Sequence, residues 1–161
     1  SHLTALGHQR IAFVGPKSNY LWVASRLQGY REGLEERGLK YDPDLVLLGM
    51  TGEMLKKELR KITTGDNRVT AIYATSNART VVESLEGLGL QIPKDISLCS
   101  GGLVNDDRRP RFTGVKTPYR DIAYYAIKVL NDLIKAPHIT SHRIKFRGEL
   151  VVRESTQKLE R

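Results

Sequence analysis

A single cysteine, Cys99, leaves no partner for an internal disulfide, so the chain is not a small stapled scaffold. No apolar run approaches the roughly 20 residues that a membrane-spanning helix needs. The opening residues also lack the pattern of a secretory signal, so the expected compartment is the cytoplasm. Neither an internal repeat nor a low-complexity tract is present, which argues against solenoids and disordered linkers. Acidic residues are the minority, 18 Asp and Glu against 26 Lys and Arg, for a net charge of +8. Such an excess marks a nucleic-acid surface when it is clustered, and here it is dispersed. Lys56, Lys57, Arg60 and Lys61 share a helix with Glu53 and Glu58 and read as a solvated face. Arg108, Arg109 and Arg111 lie in a loop beside Asp106 and Asp107, where an anionic ligand or an acidic neighbouring subunit would also account for them.

What remains is an ordinary globular composition, 40% hydrophobic and 27% charged over 161 residues, enough for one domain with a continuous core. Short apolar runs alternate with helical patterns, which predicts βα units on a parallel sheet flanked by helices. The candidate strands are Ile11 to Val14, Leu45 to Leu48, Ala71 to Ala74, Ile96 to Cys99 and Phe112 to Val115. Leu21, Ala24, Leu27, Tyr30 and Leu34 recur at three- and four-residue steps and predict a helix that stops before Gly38. Leu55, Leu59 and Ile62 mark a second helix, and Val81, Val82, Leu85 and Leu88 a third that ends at Gly89. After Val115 the run Lys116-Thr117-Pro118 breaks the strand. A helix from Tyr119 to Ile134 is predicted next, with Ile122, Ala126, Val129, Leu130 and Leu133 on its apolar face. Lys135 to Ser141 reads as a loop, followed by short strands at Arg143 to Phe146 and Glu149 to Val152. Cys99 falls in an apolar strand and reads as a buried reduced thiol.

Three blocks carry a resemblance. The run His2 to Gly15 (HLTALGHQRIAFVG) opens the chain, Ile92-Pro93-Lys94-Asp95-Ile96-Ser97 follows a helix ending Leu88-Gly89-Leu90, and Glu149 to Thr156 (ELVVREST) closes it. In that order and at about that spacing they resemble the effector-binding core of LacI/GalR-type bacterial transcription regulators, over roughly Ser1 to Thr156. The resemblance implies a periplasmic-binding-protein-like (type I) α/β fold with an incomplete core. Residues 8–115 would form the C-terminal lobe, 119–134 a helix that belongs to the N-terminal lobe in the family, and 143–156 the terminal strands. A family member normally places a helix-turn-helix ahead of a two-lobed core, and this sequence enters that core about halfway. It implies a ligand-sensing, dimerising part of a regulator that reaches operator DNA only through the missing N-terminal domain. The helix 119–134 would then lack its usual cover and expose apolar surface, which promotes association.

In this family the ligand-anchoring Arg lies three residues before Gly-Tyr or Gly-Trp, and Arg26-Leu27-Gln28-Gly29-Tyr30 supplies the match. A guanidinium suits the task, because its planar fork offers fixed donors to vicinal hydroxyls, carboxylate or phosphate. Trp22, four residues earlier, shares the helix face and either stacks on a sugar ring or fills the cleft wall. Family members often read Ala-Asn-Asp after the third strand; here the segment is Ala74-Thr75-Ser76-Asn77, and Ser76 or Asn77 takes the effector position. The usual Gly-Phe/Tyr-Asp-Asp after the fourth strand is Ser100-Gly101-Gly102-Leu103, which puts Gly102 at the effector and removes the acidic acceptor for sugar hydroxyls. An Arg retained without that carboxylate favours an anionic effector such as a sugar phosphate or organic acid. A pocket that binds nothing fits the same substitutions. A homodimer is implied as well, through the helix after Asn77 and the loop Gly101 to Arg111, with Leu85, Leu88, Leu103 and Arg108 at the contact.

Catalysis, metals and cofactors are not expected. His138 and His142 stand four apart in a predicted loop with no third ligand nearby. Asp106 and Asp107 have no partner for acid/base work. The loop Gly15-Pro16-Lys17-Ser18-Asn19-Tyr20 follows the first strand, where such folds meet ligands, but it lacks the G-x-x-x-x-G-K-[ST] spacing of a phosphate loop. The competing readings are a free-standing α/β phosphate- or nucleotide-binding enzyme domain on that loop, and a sugar-binding transport protein of the same fold.

Overall fold

In a computed structural model, which describes residues 1–17, 20–103, 111–136, 138 and 143–159, the elements follow one another as βα units. They are α1 (His2–Ala5), β1 (Ile11–Gly15), α2 (Leu21–Glu35), a 3-10 turn (Pro43–Leu45), β2 (Val46–Leu48), α3 (Gly52–Thr63), β3 (Ala71–Ala74), α4 (Ala78–Glu86), β4 (Ser97–Ser100), β5 (Thr113–Lys116), α5 (Tyr119–Lys135) and β6 (Glu149–Val151). The sheet order is β2-β1-β3-β4-β5-β6. The first five strands are parallel, and β6 pairs antiparallel on the outer edge of β5.

Alternating side chains divide the core between the two faces of the sheet, as a parallel sheet covered on both sides requires. Ala12, Val14, Ile72, Ala74 and Leu98 pack with Leu55 and Leu59 of α3 and Val81, Val82 and Leu85 of α4. Ile11, Phe13, Ala71 and Cys99 pack with Leu3 of α1 and Tyr30 and Leu34 of α2. Cys99 is buried, and its removal from water pushes the thiol up to about 11, so it is an inert neutral group.

Both glycine stops close their helices in the same way. Gly38 and Gly89 adopt positive φ (66° and 76°), and the next N–H turns back to the helix, Leu39 to Leu34 O and Leu90 to Leu85 O, each at 3.0 Å. One expectation needs correction: residues 143–146 form no strand, because β6 already occupies the free edge of β5. α1 was not visible as a helix in the sequence. No residue of α5 is buried; Tyr119, Ile127 and Ile134 are each at least 70% exposed, and Tyr125 leans on Phe146 at 5.7 Å.

The C-terminal segment is built into the sheet. Ser155 is wholly buried where β4 and β5 diverge: its hydroxyl donates to Leu98 O (2.5 Å) and accepts from Thr113 N (2.8 Å), while its own carbonyl accepts from Leu98 N (2.7 Å). His8 ties the following residues down. A carbonyl can only accept, so Nε2 donates to Gln157 O (3.1 Å); in the neutral ring that burial favours, Nδ1 then accepts from the Thr70 hydroxyl (2.9 Å). Burial lowers the His8 pKa below 6.5, against a smaller opposing effect of the Gln157 hydrogen bond. His2 is lowered as well, by burial and by the terminal amine. In the unfolded chain both rings regain the ordinary imidazole value of 6.5, so the unfolded state takes up protons first as the pH falls. Stability is therefore expected to be level above pH 6.5 and to decline below it. Urea unfolding at a series of pH values checks this, with His8→Gln flattening most of the slope; a stability that rises toward acid would contradict it.

Candidate functional site

The C-terminal ends of β1, β3 and β4 converge at one edge of the sheet, the place where open α/β sheets bind ligands. Close approach there depends on small residues. A Cβ on Gly15 would stand 2.7 Å from Thr75 Oγ1, and one on Gly101 would stand 2.5 Å from the Thr75 carbonyl oxygen. Main-chain bonds from Thr75 N to Val14 O (2.8 Å) and from Gly101 N to Ala74 O (2.7 Å) extend the ladders past the strands and stack the three loops side by side.

Arg26 reaches across this edge from the second turn of α2. Nη1 donates to Thr75 O (2.5 Å) and Nη2 to Gly101 O (3.2 Å), so one guanidinium joins the loops after β3 and β4 to the helix after β1. Its other face lies over the Trp22 ring, 4.8 Å from the centroid. Trp22 in turn stacks on Tyr20 at 6.3 Å and 15° between planes. Both rings are open to solvent, Trp22 at 40% and Tyr20 at 63%, and they extend the surface beside the guanidinium.

Ser76 is half-buried and Asn77 exposed, directly after the Thr75 carbonyl that Arg26 holds. Asn77 adopts φ 57° at the start of α4, and its side chain makes no capping bond. Gly102 is half-buried, with open space where a side chain would project. Arg26, Ser76, Asn77 and Gly102 thus lie along one edge, with Trp22 beside Arg26, and none of these five carries a negative charge. The Tyr20 ring and the carbonyls of Thr75 and Gly101 were not singled out from sequence. The carbonyls could not have been, because they lie 49 and 75 residues from Arg26 along the chain.

The residues assigned to a dimer contact separate. Leu85 is fully buried in the core between α4 and the sheet, which removes it from any surface a second chain could meet, and Leu88 is partly buried against the same cluster. Leu103 is half-buried, its N–H bonded to Val115 O (3.0 Å). Arg108, with Asp106, Asp107 and Arg109, lies outside the described residues, as do Ser18, Asn19 and His142; Arg111 is paired with Glu154 at 2.8 Å. No group of three or more His, Cys, Asp or Glu side chains among the described residues could hold a metal. No helix among them is long and apolar enough to cross a membrane.

Comparison with known proteins places this geometry. A family model described as a periplasmic binding protein-like domain matches residues 1–156. A probable opine utilization operon repressor of Rhizobium rhizogenes is 32% identical over 144 residues, 80% of this chain and 71% of its own length. The solved structure of a LacI family transcriptional regulator from Mycobacterium smegmatis superposes with a TM-score of 0.82 at 26% identity, covering 98% of this chain and 60% of the other. The transcriptional regulator CelR in complex with cellobiose superposes at 0.80 with 26% identity, covering 96% and 49%. The chain spans about half the length of most curated relatives it matches, whose names are those of transcriptional repressors and regulators rather than enzymes. This chain belongs to the periplasmic binding protein-like domain family and carries the effector-binding core portion of a LacI-type transcription regulator.

Proposed function

We propose that the chain senses a small sugar-like or anionic effector and thereby controls DNA binding by a helix-turn-helix domain of the same regulator. The observation that carries this reading is the Arg26 guanidinium, which clamps two loops at the ligand-binding edge of the sheet. It bonds those carbonyls with only two of its donors, so others remain for a ligand beside the Trp22 face. A ligand that bridges Arg26, Ser76 or Asn77, and a facing lobe favours one lobe arrangement over another, and the attached DNA reader follows that change. The regulator works in the cytoplasm as a homodimer whose contact, with Leu85 internal, uses Leu103, Arg108 and the outer side of α4.

Without a carboxylate among its five named residues, the site favours a phosphorylated sugar over a neutral one. Calorimetric titration of the chain with glucose 6-phosphate and with cellobiose is the test. Glucose 6-phosphate is expected to bind at least tenfold more tightly. Tighter binding of cellobiose would remove the preference for anions, and no heat from either would leave the sensor reading without support.

A further inference from the structure

The second concentration of charge lies at the opposite end of the sheet. There a depression of about 1070 Å³ is bordered, among the described residues, by Arg10, Arg37, Arg68 and Lys158 against one carboxylate, Asp66. The side chains of Arg37, Arg68 and Lys158 are exposed and make no ion pair among the described residues. Arg10 is held only loosely, by one 3.3 Å contact with Asp42, and its Nε has no hydrogen-bond partner. The cations come from four separate segments, so folding gathers a charge that is scattered in the sequence. Half-buried Leu6, Leu39 and Leu159 line the same depression.

We propose that this depression is a docking surface for an acidic segment of a partner protein, one that alternates carboxylates with apolar side chains. Clustered guanidinium groups recognise carboxylates through paired donors, and their field accelerates encounter with an acidic partner. The leucines favour a polypeptide over a phosphate compound, because a compact anion has no use for apolar contacts. The volume of about 1070 Å³ also lies just beyond the roughly 300–1,000 Å³ typical of small-molecule pockets. Arg10 and Thr70 precede β1 and β3, whereas Arg26 acts at their far ends, and the length of β1 puts roughly 15 Å between the two places. This surface does not depend on the sensor reading of the cleft.

The test is fluorescence anisotropy of the full chain with a labelled peptide alternating Glu and Leu. Arg37→Glu with Arg68→Glu is expected to weaken binding at least tenfold. Lys57→Glu with Arg60→Glu, the same charge change on exposed residues of α3, is expected to alter it less than twofold. Arg37→Gln with Arg68→Gln gives a milder pair in case the reversals disturb folding, with an expected loss of about fivefold. Equal weakening by the α3 pair would reduce the effect to net charge and overturn the proposal. So would equal binding of a Gln–Leu peptide, or inorganic polyphosphate binding more tightly than the Glu–Leu peptide.

Discussion

Leu85→Ala is expected to lower the unfolding free energy by about 3 kcal/mol and the Tm by roughly 10 °C, with no change in association state. Leu85 has no exposed surface and packs with Leu55, Val81, Val82 and Ile96 in the core beneath α4. Truncation removes apolar contacts and leaves a cavity that two helices and a strand close only in part, which is why such changes fall among the larger single-residue effects. A contact residue between subunits would behave in the opposite sense, with sedimentation showing dissociation and Tm losing its dependence on protein concentration. Thermal melts and sedimentation on the same samples separate the two. A normal Tm with a lowered mass would return Leu85 to an interface and contradict the packing described for α4.

Arg26→Ala is expected to act at two levels. Both bonds from the guanidinium to the carbonyls of Thr75 and Gly101 disappear, and charge-assisted bonds of this kind contribute about 1.5–3 kcal/mol each when well shielded. Arg26 is half-exposed, so the total loss in stability is nearer 2 kcal/mol. Ligand affinity is expected to fall further, at least tenfold, because the loops that carry Ser76, Asn77 and Gly102 lose their common support as well as the ligand's anchor. Arg26→Lys keeps the charge without the planar fork, and an intermediate affinity is expected. Urea unfolding and titration with glucose 6-phosphate read the two levels independently. A chain that loses stability but binds as before would make Arg26 a loop clamp with no part in recognition.

Much of the fold was legible because its signals are local. Apolar runs bounded by turns located β1 to β5, three- and four-residue spacing located α2 to α5, and Gly38 and Gly89 marked two helix ends. What the sequence concealed depends on distance along the chain. The stripe Val81, Val82, Leu85 and Leu88 looks the same whether it faces a core or a partner, and only the sheet beneath α4 decides it. Arg143 to Phe146 alternates like a strand, yet a strand exists only with a neighbour to pair with. The Arg26 placement followed a local motif, whereas its carbonyl partners required the register of β1, β3 and β4. Arg10, Arg37, Arg68 and Lys158 were read as dispersed for the same reason, since each is isolated in sequence and only the folded chain brings them together.

The seat of Ser155 between β4 and β5 also sets a timetable for synthesis. Thr113 must wait for a residue 42 positions later before its N–H has an acceptor, and Leu98 waits through 57. At about 5–20 residues per second, the ribosome leaves β4 and β5 without that bridge for roughly 2–10 seconds. Over that interval the nascent sheet presents open backbone groups beside Phe112 and Leu98, both of which end fully buried. The chain is then most open to strand addition by a neighbouring nascent chain or to capture by a chaperone. A ribosome stall within α5 or β6 would prolong that exposure, although β1 to β4 and the helices around them have already been made.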